Sequence, residues 1–556
     1  MNKIFLLLLC TLSMTAHSQT VGWFYSYSGA MDGYLLFAPA VSDTTYLIDK
    51  CGKRIHQWTS TYRPGLAVYL LNDGTLLRCG NTNNALFQGG GQGGIVQKMD
   101  WNSNIIWSYE ISDNNQCQHH DAIQLPNGNI VAIVWEDHSK TEAQNNGRVS
   151  LGNHVWSDKV VEIQPMGNDS GIIVWQWRAW DHLVQDVDST KLNFGVVADS
   201  PGLIDINLGS LNITSVDWLH VNGLDYDSVH DQLMISCHNL NEVYIIDHST
   251  TINEAASHSG GNSGHGGDLL YRWGNPQNYG RGTLADQKFY QQHNTTWIPQ
   301  GMPGAGKILV FNNGVNRPGN DYTTIETFTP PPVVNYNYPL APDSAYLPAS
   351  QDWIYAANPP TSLFSFVEGG AQRLANGNTM ICDAISGRFL EIDSSGNDMS
   401  KYINPVGQNG IASQGEQPIQ NSCFRVTFIP TQYSGLAGQV LIPGAPIELN
   451  PLNYTCMNYA TGVAEIKFDA ANLTAYPNPF QNNFAIHVPV AVSNATLQVH
   501  DVMGRLLYEE KNFTVTPQSD VLISLPQYKG IMIVTVKDDP DGPGENHEWN
   551  VTAVGL

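Results

Sequence analysis

Charge is scarce in this 556-residue chain, with Asp, Glu, Lys and Arg making up only 14% of it. Cations are the scarcer kind: 26 Lys and Arg stand against 50 Asp and Glu, a net charge of −24. A surface this poor in positive charge cannot neutralise a phosphate backbone, which excludes nucleic acid as a partner and disfavours an anionic membrane surface. Past the first dozen residues, no apolar run is long enough to span a bilayer. No cysteines stand at C-x-x-C spacing and no Cys/His set has the spacing of a zinc site, so neither metal nor cofactor is expected. Asp539 and Asp541 precede Gly542 but lack the distal glutamate of a calcium loop.

The start of the chain reads as a secretory leader. Lys3 supplies the charge, Ile4 to Leu12 the short apolar run, and Ala16-His17-Ser18 a small-x-small cleavage site, giving residues 1–18 as a signal peptide. Its removal takes Cys10 with it and leaves seven cysteines, an odd number that cannot pair completely. They read as small buried hydrophobes with one or two disulfides. An exported protein is expected.

Turn formers, in contrast, are plentiful: 51 Gly and 30 Pro. With little charge, this composition favours an all-β fold. Two patterns alternate. One is an Asp-turn-apolar-Trp unit, as in YLIDKCGKRIHQW from Tyr46 and VQKMDWNSNIIW ending at Trp107. The other is a strand-turn-strand unit: AVYLLNDGTLLRC, AIQLPNGNIVAIV, LDYDSVHDQLMISC, TWIPQGMPGAGKILVF, AQRLANGNTMIC and VTFIPTQYSGLAGQVLI. Asn-Gly or Asp-Gly between apolar runs marks a hairpin, because the tight turn needs positive φ. Six such units at intervals of roughly 50 residues or more predict a six-bladed β-propeller over 19–465, closed with help from N-terminal strands. A β-sandwich with long insertions is the competing architecture. A different strand pattern then begins, predicting a C-terminal β-sandwich over 470–556.

The histidines have a phase. Five residues before the turn unit of AIQLPNG lies His120, and the same count in TWIPQG gives His293. His220 holds the comparable place before LDYDSVHDQL. Inner strands of a propeller line one channel, so residues at one phase converge, and these three are candidate catalytic groups. His119 and Asp121 flank His120, where a carboxylate can orient an imidazole. Arg317, closing VFNNGVNR, offers a planar fork for a tetrahedral oxyanion. His238 and Asn239 follow the His220 strand, and Glu368, at the fifth-blade channel position, is a candidate base. The segment WRAWDHLVQD, from Trp177 to Asp186, reads as an insertion packed by its own aromatics.

Two resemblances follow from these residues. Tyr476-Pro477-Asn478-Pro479-Phe480, Asp501-Val502-Met503-Gly504-Arg505 and Gly530-Ile531-Met532 resemble, in order, the type A sorting domain of the type IX secretion system. That implies the secretion machinery as partner and the cell surface or medium as destination. The blocks HHDAIQLPNGN, DWLHVNGLDYD, ISCHNLNEVYIID, LLYRWGNP, QQHNTTWIP, ILVFNNGVNR and AQRLANGNTMICD resemble the bacterial arylsulfate sulfotransferases over nearly all of residues 40 to 400. The resemblance implies a six-bladed propeller that moves a sulfuryl group from a phenolic sulfate ester to a phenol through a histidine, with no nucleotide donor. It assigns sulfate binding to His220, His293 and Arg317. The family's sulfated histidine falls downstream of Arg317, where this chain has no histidine before His487, in the sorting domain. His120 is therefore expected to replace it. The alternative is a non-catalytic surface propeller that binds a small anion, glycan or peptide.

Overall fold

The fold was analysed in a computed structural model. It describes residues 19–556 except 151, 210–215, 454–455, 457–473, 477–481, 489–491, 502–504, 517–518, 526–529, 538–547 and 556. The expected signal peptide, most of the YPNPF block and the Asp539/Asp541 pair lie outside the described residues.

The chain divides into two compact units, 1–461 and 462–556. The first is built mainly of antiparallel sheets, and six of those described have four or five strands. Each of the two sequence patterns has its own place in them. The strand-turn-strand unit forms the two inner strands, as in Pro64–Leu70 with Leu76–Asn81 and Gln116–Gln124 with Ile130–Ser139. Their turns use the positive φ that Gly74 and Gly128 provide, at 82° and 89°. The Asp-Trp unit forms the outer pair. Its aspartate ties the turn by accepting two backbone N–H groups: Asp100 Oδ1 takes those of Asn102 and Asn104, each at 2.8 Å. Its tryptophan fills the space between sheets, and Trp58, Trp107 and Trp177 are buried.

Inner strands touch one another in a closed cycle that runs Pro64–Leu70, Gln116–Gln124, Val221–Asp227, His293–Trp297, Gly370–Arg373, Cys423–Pro430 and back to the first. Segments near both ends of the first unit take part in closing it. Gly22–Ser26 adds a fifth strand to Asp398–Ile403, and Cys423–Pro430 pairs with Gly33–Pro39. Here one expectation is corrected. The sixth unit, 426–442, makes no hairpin; only its first strand forms, and Val440 and Ile442 are exposed. Its partner comes from the other end of the chain, because an unpaired inner edge is satisfied only by closing the ring. A buried ion pair, Lys50 to Glu391 at 2.6 Å, joins the sheet of Gly33–Pro39 to that of Asp398–Ile403. The disulfide Cys51–Cys456 spans 405 residues. Cys79, Cys117, Cys237, Cys382 and Cys423 are free and buried.

In the second unit, strands Thr474–Tyr476, Asn483–Val488 and Ser519–Ser524 form one sheet. Leu506–Val515, Val492–Asp501, Gly530–Lys537 and Glu548–Gly555 form another. Phe484, Ile486 and Ile523 from the first share one buried cluster with Leu497, Val499, Phe513 and Val534 from the second.

Candidate active site

The inner strands are regular at their turn ends and irregular where they face the centre of the cycle. In Gln116–Gln124, pairing of Ala122 with Ala132 and Gln118 with Val134 leaves His119, His120 and Asp121 opposite Ile133 alone. Similar bulges release Asn222 and Gly223, Asn294 and Thr295, Phe424 and Arg425, and Gly65 to Ala67. A bulge bends the strand and re-aims its side chains. At these places Leu66, His120, His220, Asn294 and Glu368 have φ from 47° to 88°, a conformation side chains seldom adopt.

The result is a connected group of imidazoles. Ring centroids lie 4.6 Å apart for His120 and His220, 4.9 Å for His220 and His238, and 5.1 Å for His238 and His293. One ring nitrogen from each of His120, His220 and His293 lies within 4.8 Å of the other two. Each ring is fixed from behind. Asp217 Oδ2 is 2.5 Å from His220 Nδ1. Asn313 Oδ1 accepts from His293 Nδ1 at 2.8 Å, while Asn313 Nδ2 donates to the carbonyls of Ser365 and Glu368. His120 Nδ1 is 2.8 Å from His119 Nδ1, and His119 Nε2 is 2.9 Å from Asp158 Oδ1. His119 also stacks on Trp135, whose indole N–H donates to Asp217.

The electrostatics divide the rings. Burial, reinforced by neighbouring histidines, holds the pKa of His120 well below the usual imidazole value. Burial and His238 do the same for His293. Burial with His220 takes His238 down to about 3. Burial would also lower His220, but the Asp217 carboxylate outweighs it and the pKa rises. His220 is also the most open of the four, its side chain 15% exposed. Gly91 covers His120: it has φ of 86°, its carbonyl accepts the His120 N–H at 2.9 Å, and a Cβ there would strike the imidazole. Gly91 also lines a cavity of about 400 Å³, together with Leu66, Asn81, Asn83, Gln88 and Gln92.

The remaining expected residues are placed as follows. Asp121 accepts from Tyr69 Oη at 2.8 Å and pairs with Arg425 at 2.7 Å. Asn239 clamps backbone, donating to the carbonyl of Asp217 and accepting from His238. Glu368 donates its backbone N–H to His293 Nε2 at 3.2 Å; its carboxyl is pushed up to about 7 by burial and its Oε2 has no partner. Arg317 donates to Thr324 Oγ1 at 2.9 Å and lies over the rings of Tyr322 and Tyr290, with its Nε buried and unpartnered. It sits beside the loop that carries Asn313 and makes none of its described contacts with the four imidazoles. In the insertion, His182 is buried between Asp268 and the carbonyl of Ala255.

Sequence reasoning missed Asp217, Asn313, Asp158 and Arg425. Asp217 was within reach, three residues before His220. Arg425 was too, since the histidine count applied to VTFIP falls on Phe424 beside it. Asp158 sits on His154–Met166, the third strand of the His119 sheet, and shows no such phase.

Residues 20–421 match the arylsulfotransferase family. The chain belongs to that family. Residues 474–541 match the secretion system C-terminal sorting domain, the type IX tail. A search of the curated proteins returns no match. Among solved structures, the chain is similar to a protein of unknown function from Bacteroides caccae, with 10% identity, 72% of this chain and 99% of that one covered, and a TM-score of 0.38. It is similar also to apo AztD from Citrobacter koseri, at 8% identity, 72% and 98% coverage and a TM-score of 0.29. The virginiamycin B lyase of Staphylococcus aureus, in selenomethionine form, gives 9%, 69% and 88%, and 0.30. No helix among the described residues is long and apolar enough to cross a membrane.

Proposed function

We propose that this member of the arylsulfotransferase family transfers a sulfuryl group from an aryl sulfate ester to a phenol, at the imidazoles of a six-bladed propeller spanning 19–465. The observation that carries the reading is the convergence of His120, His220 and His293 from three inner strands. His220, backed by Asp217, and His293 hold the sulfate, and the free Nε of Arg317 is a further donor for its oxygens. His120 is the nucleophile. Its Nδ1 is engaged by His119, which leaves the Nε2 lone pair to attack sulfur. The S–O bond to the aryl group breaks, and the phenolate leaves with that electron pair and takes a proton from Glu368. The acceptor phenol then attacks the same sulfur, the N–S bond returns its electrons to His120, and the phenol's proton passes to Glu368.

The signal peptide 1–18 and the tail 470–556, read as a β-sandwich, carry the protein through the periplasm to the cell surface or medium. The test is p-nitrophenyl sulfate with and without phenol, using wild type, His120→Ala, His220→Ala, His293→Ala and Arg317→Ala, with mass spectrometry of trapped protein. The reading expects acceptor-dependent nitrophenol release and a sulfuryl adduct on His120. Wild-type turnover in His120→Ala would reject the nucleophile. Release without acceptor dependence would make the protein a sulfatase, and no release in wild type would leave a binding propeller.

A further inference from the structure

We propose that His120, His220 and His293 also bind one divalent transition-metal ion, zinc or a close chemical equivalent, although the sequence carries no zinc spacing. The ligands come from three separate strands, Gln116–Gln124, His293–Trp297 and the residue preceding Val221–Asp227. Linear spacing therefore has no bearing on them.

Distance comes first. One nitrogen from each ring lies within 4.8 Å of the other two. Tetrahedral zinc with Zn–N of about 2.0–2.1 Å sets its nitrogens about 3.3 Å apart, so the rings need to close by roughly 1.5 Å at most. Orientation comes next. A ligating imidazole is held by a hydrogen bond at its far nitrogen, and each ring has one: Asp217 behind His220, Asn313 behind His293, and His119 behind His120. His119 is itself backed by Asp158 at 2.9 Å.

The fourth position also has a candidate. His238 Nε2 is buried with no partner, and its ring lies between those of His220 and His293. It either joins the set or leaves that position to water. Charge favours a cation as well. Asp217 stands behind His220, and Arg425 is paired with Asp121 at 2.7 Å. Arg317 engages Thr324 and two tyrosine rings instead of the imidazoles. One contact competes: the Glu368 N–H reaches His293 Nε2 at 3.2 Å, and it opens when metal binds.

This inference does not rest on sulfuryl transfer. Metal and sulfuryl group claim the same His120 nitrogen, so a metal-loaded molecule forms no sulfuryl-histidine, and zinc is expected to inhibit transfer. The experiment uses the mature full-length chain, stripped with a chelator and freed of it. Zinc uptake is followed by calorimetry, and cobalt uptake by its visible absorption, which reports tetrahedral nitrogen ligation without any activity. About one equivalent is expected. His220→Ala and His293→Ala should each weaken uptake about 100-fold or more, and Asp217→Asn, which keeps the packing, about 10–100-fold. His258→Ala, in the separate His182–His258–Asp268 group, should leave uptake unchanged.

No stoichiometric uptake by wild type overturns the proposal. So does uptake that survives both histidine variants and Asp217→Asn, or that is lost in His258→Ala alone. Metal uptake without aryl sulfate turnover by the metal-free protein removes the transfer reading and leaves this one. Turnover without uptake does the reverse.

Discussion

Ile130–Ser139 pairs with His154–Met166 residue for residue, while toward the inner strand Gln116–Gln124 the ladder breaks at His119–Asp121. The same contrast recurs around the cycle. Second and third strands pair without register shifts, with Asp-tied turns and buried tryptophans farther out, while all but one of the inner pairings bulge and carry histidine, aspartate and arginine. The regular ladder satisfies backbone groups and buries apolar area, which is where stability comes from. At the bulges, backbone regularity is given up so that side chains from different sheets can meet. Chemistry and stability thus occupy different depths of the same strands, and substitutions should separate them.

The largest expected effect is at the centre. His120→Ala should cost more than about 10³-fold in aryl sulfate turnover, over 4 kcal/mol of barrier, with little change in melting temperature. A variant that melts early in proportion to its lost activity would break the division. Next is Trp177→Ala in an outer strand. The indole is 1% exposed and donates to the carbonyl of Gly267 at 2.7 Å. Its loss should destabilise by about 3–5 kcal/mol in urea unfolding, and turnover per folded molecule should stay near wild type.

Cys51→Ser removes the covalent tie between the first sheet and Cys456. It should cost about 2–4 kcal/mol against oxidised wild type, and reduced wild type should lose as much. The smallest effect sharpens the comparison through pH. His248 bridges Asp231 at 2.7 Å and Glu162 at 3.2 Å. Burial would lower its pKa, but the two carboxylates outweigh burial and raise it to about 9. The folded value exceeds the unfolded value of about 6.5, so the stabilisation is complete below that pH and is lost as pH rises through 9. It amounts to on the order of 2–3 kcal/mol. His248→Gln should therefore melt well below wild type at pH 6 and close to it above pH 9.5, and an equal gap at both would refute the assignment.

Much of this was readable from the sequence because it is local. Asn-Gly turns, alternating apolar residues and aspartates before turns act within a few positions, so five of the six inner hairpins and the outer pairs stand where the repeat puts them. The sixth unit failed for a non-local reason: the strand that pairs with Cys423–Pro430 lies at Gly33–Pro39, at the other end of the first unit. The histidine phase was readable too, since equal positions in equal repeats converge. What stands behind the histidines was not. Asp158 comes from the third strand of the His119 sheet, Asn313 from the end of the strand beside His293, and Arg425 finds Asp121 only when the cycle closes.

The sequence by itself determined the all-β class, the repeat and the phase that aims three imidazoles inward, because each follows from turn chemistry and strand period over short stretches. Tertiary structure alone decided which nitrogens those imidazoles keep free. Each choice turns on how the bent backbone points a ring at its partner: His120 at His119, His220 at Asp217 and His293 at Asn313. A hydrogen bond is decided by distance and direction in space, which no linear spacing encodes.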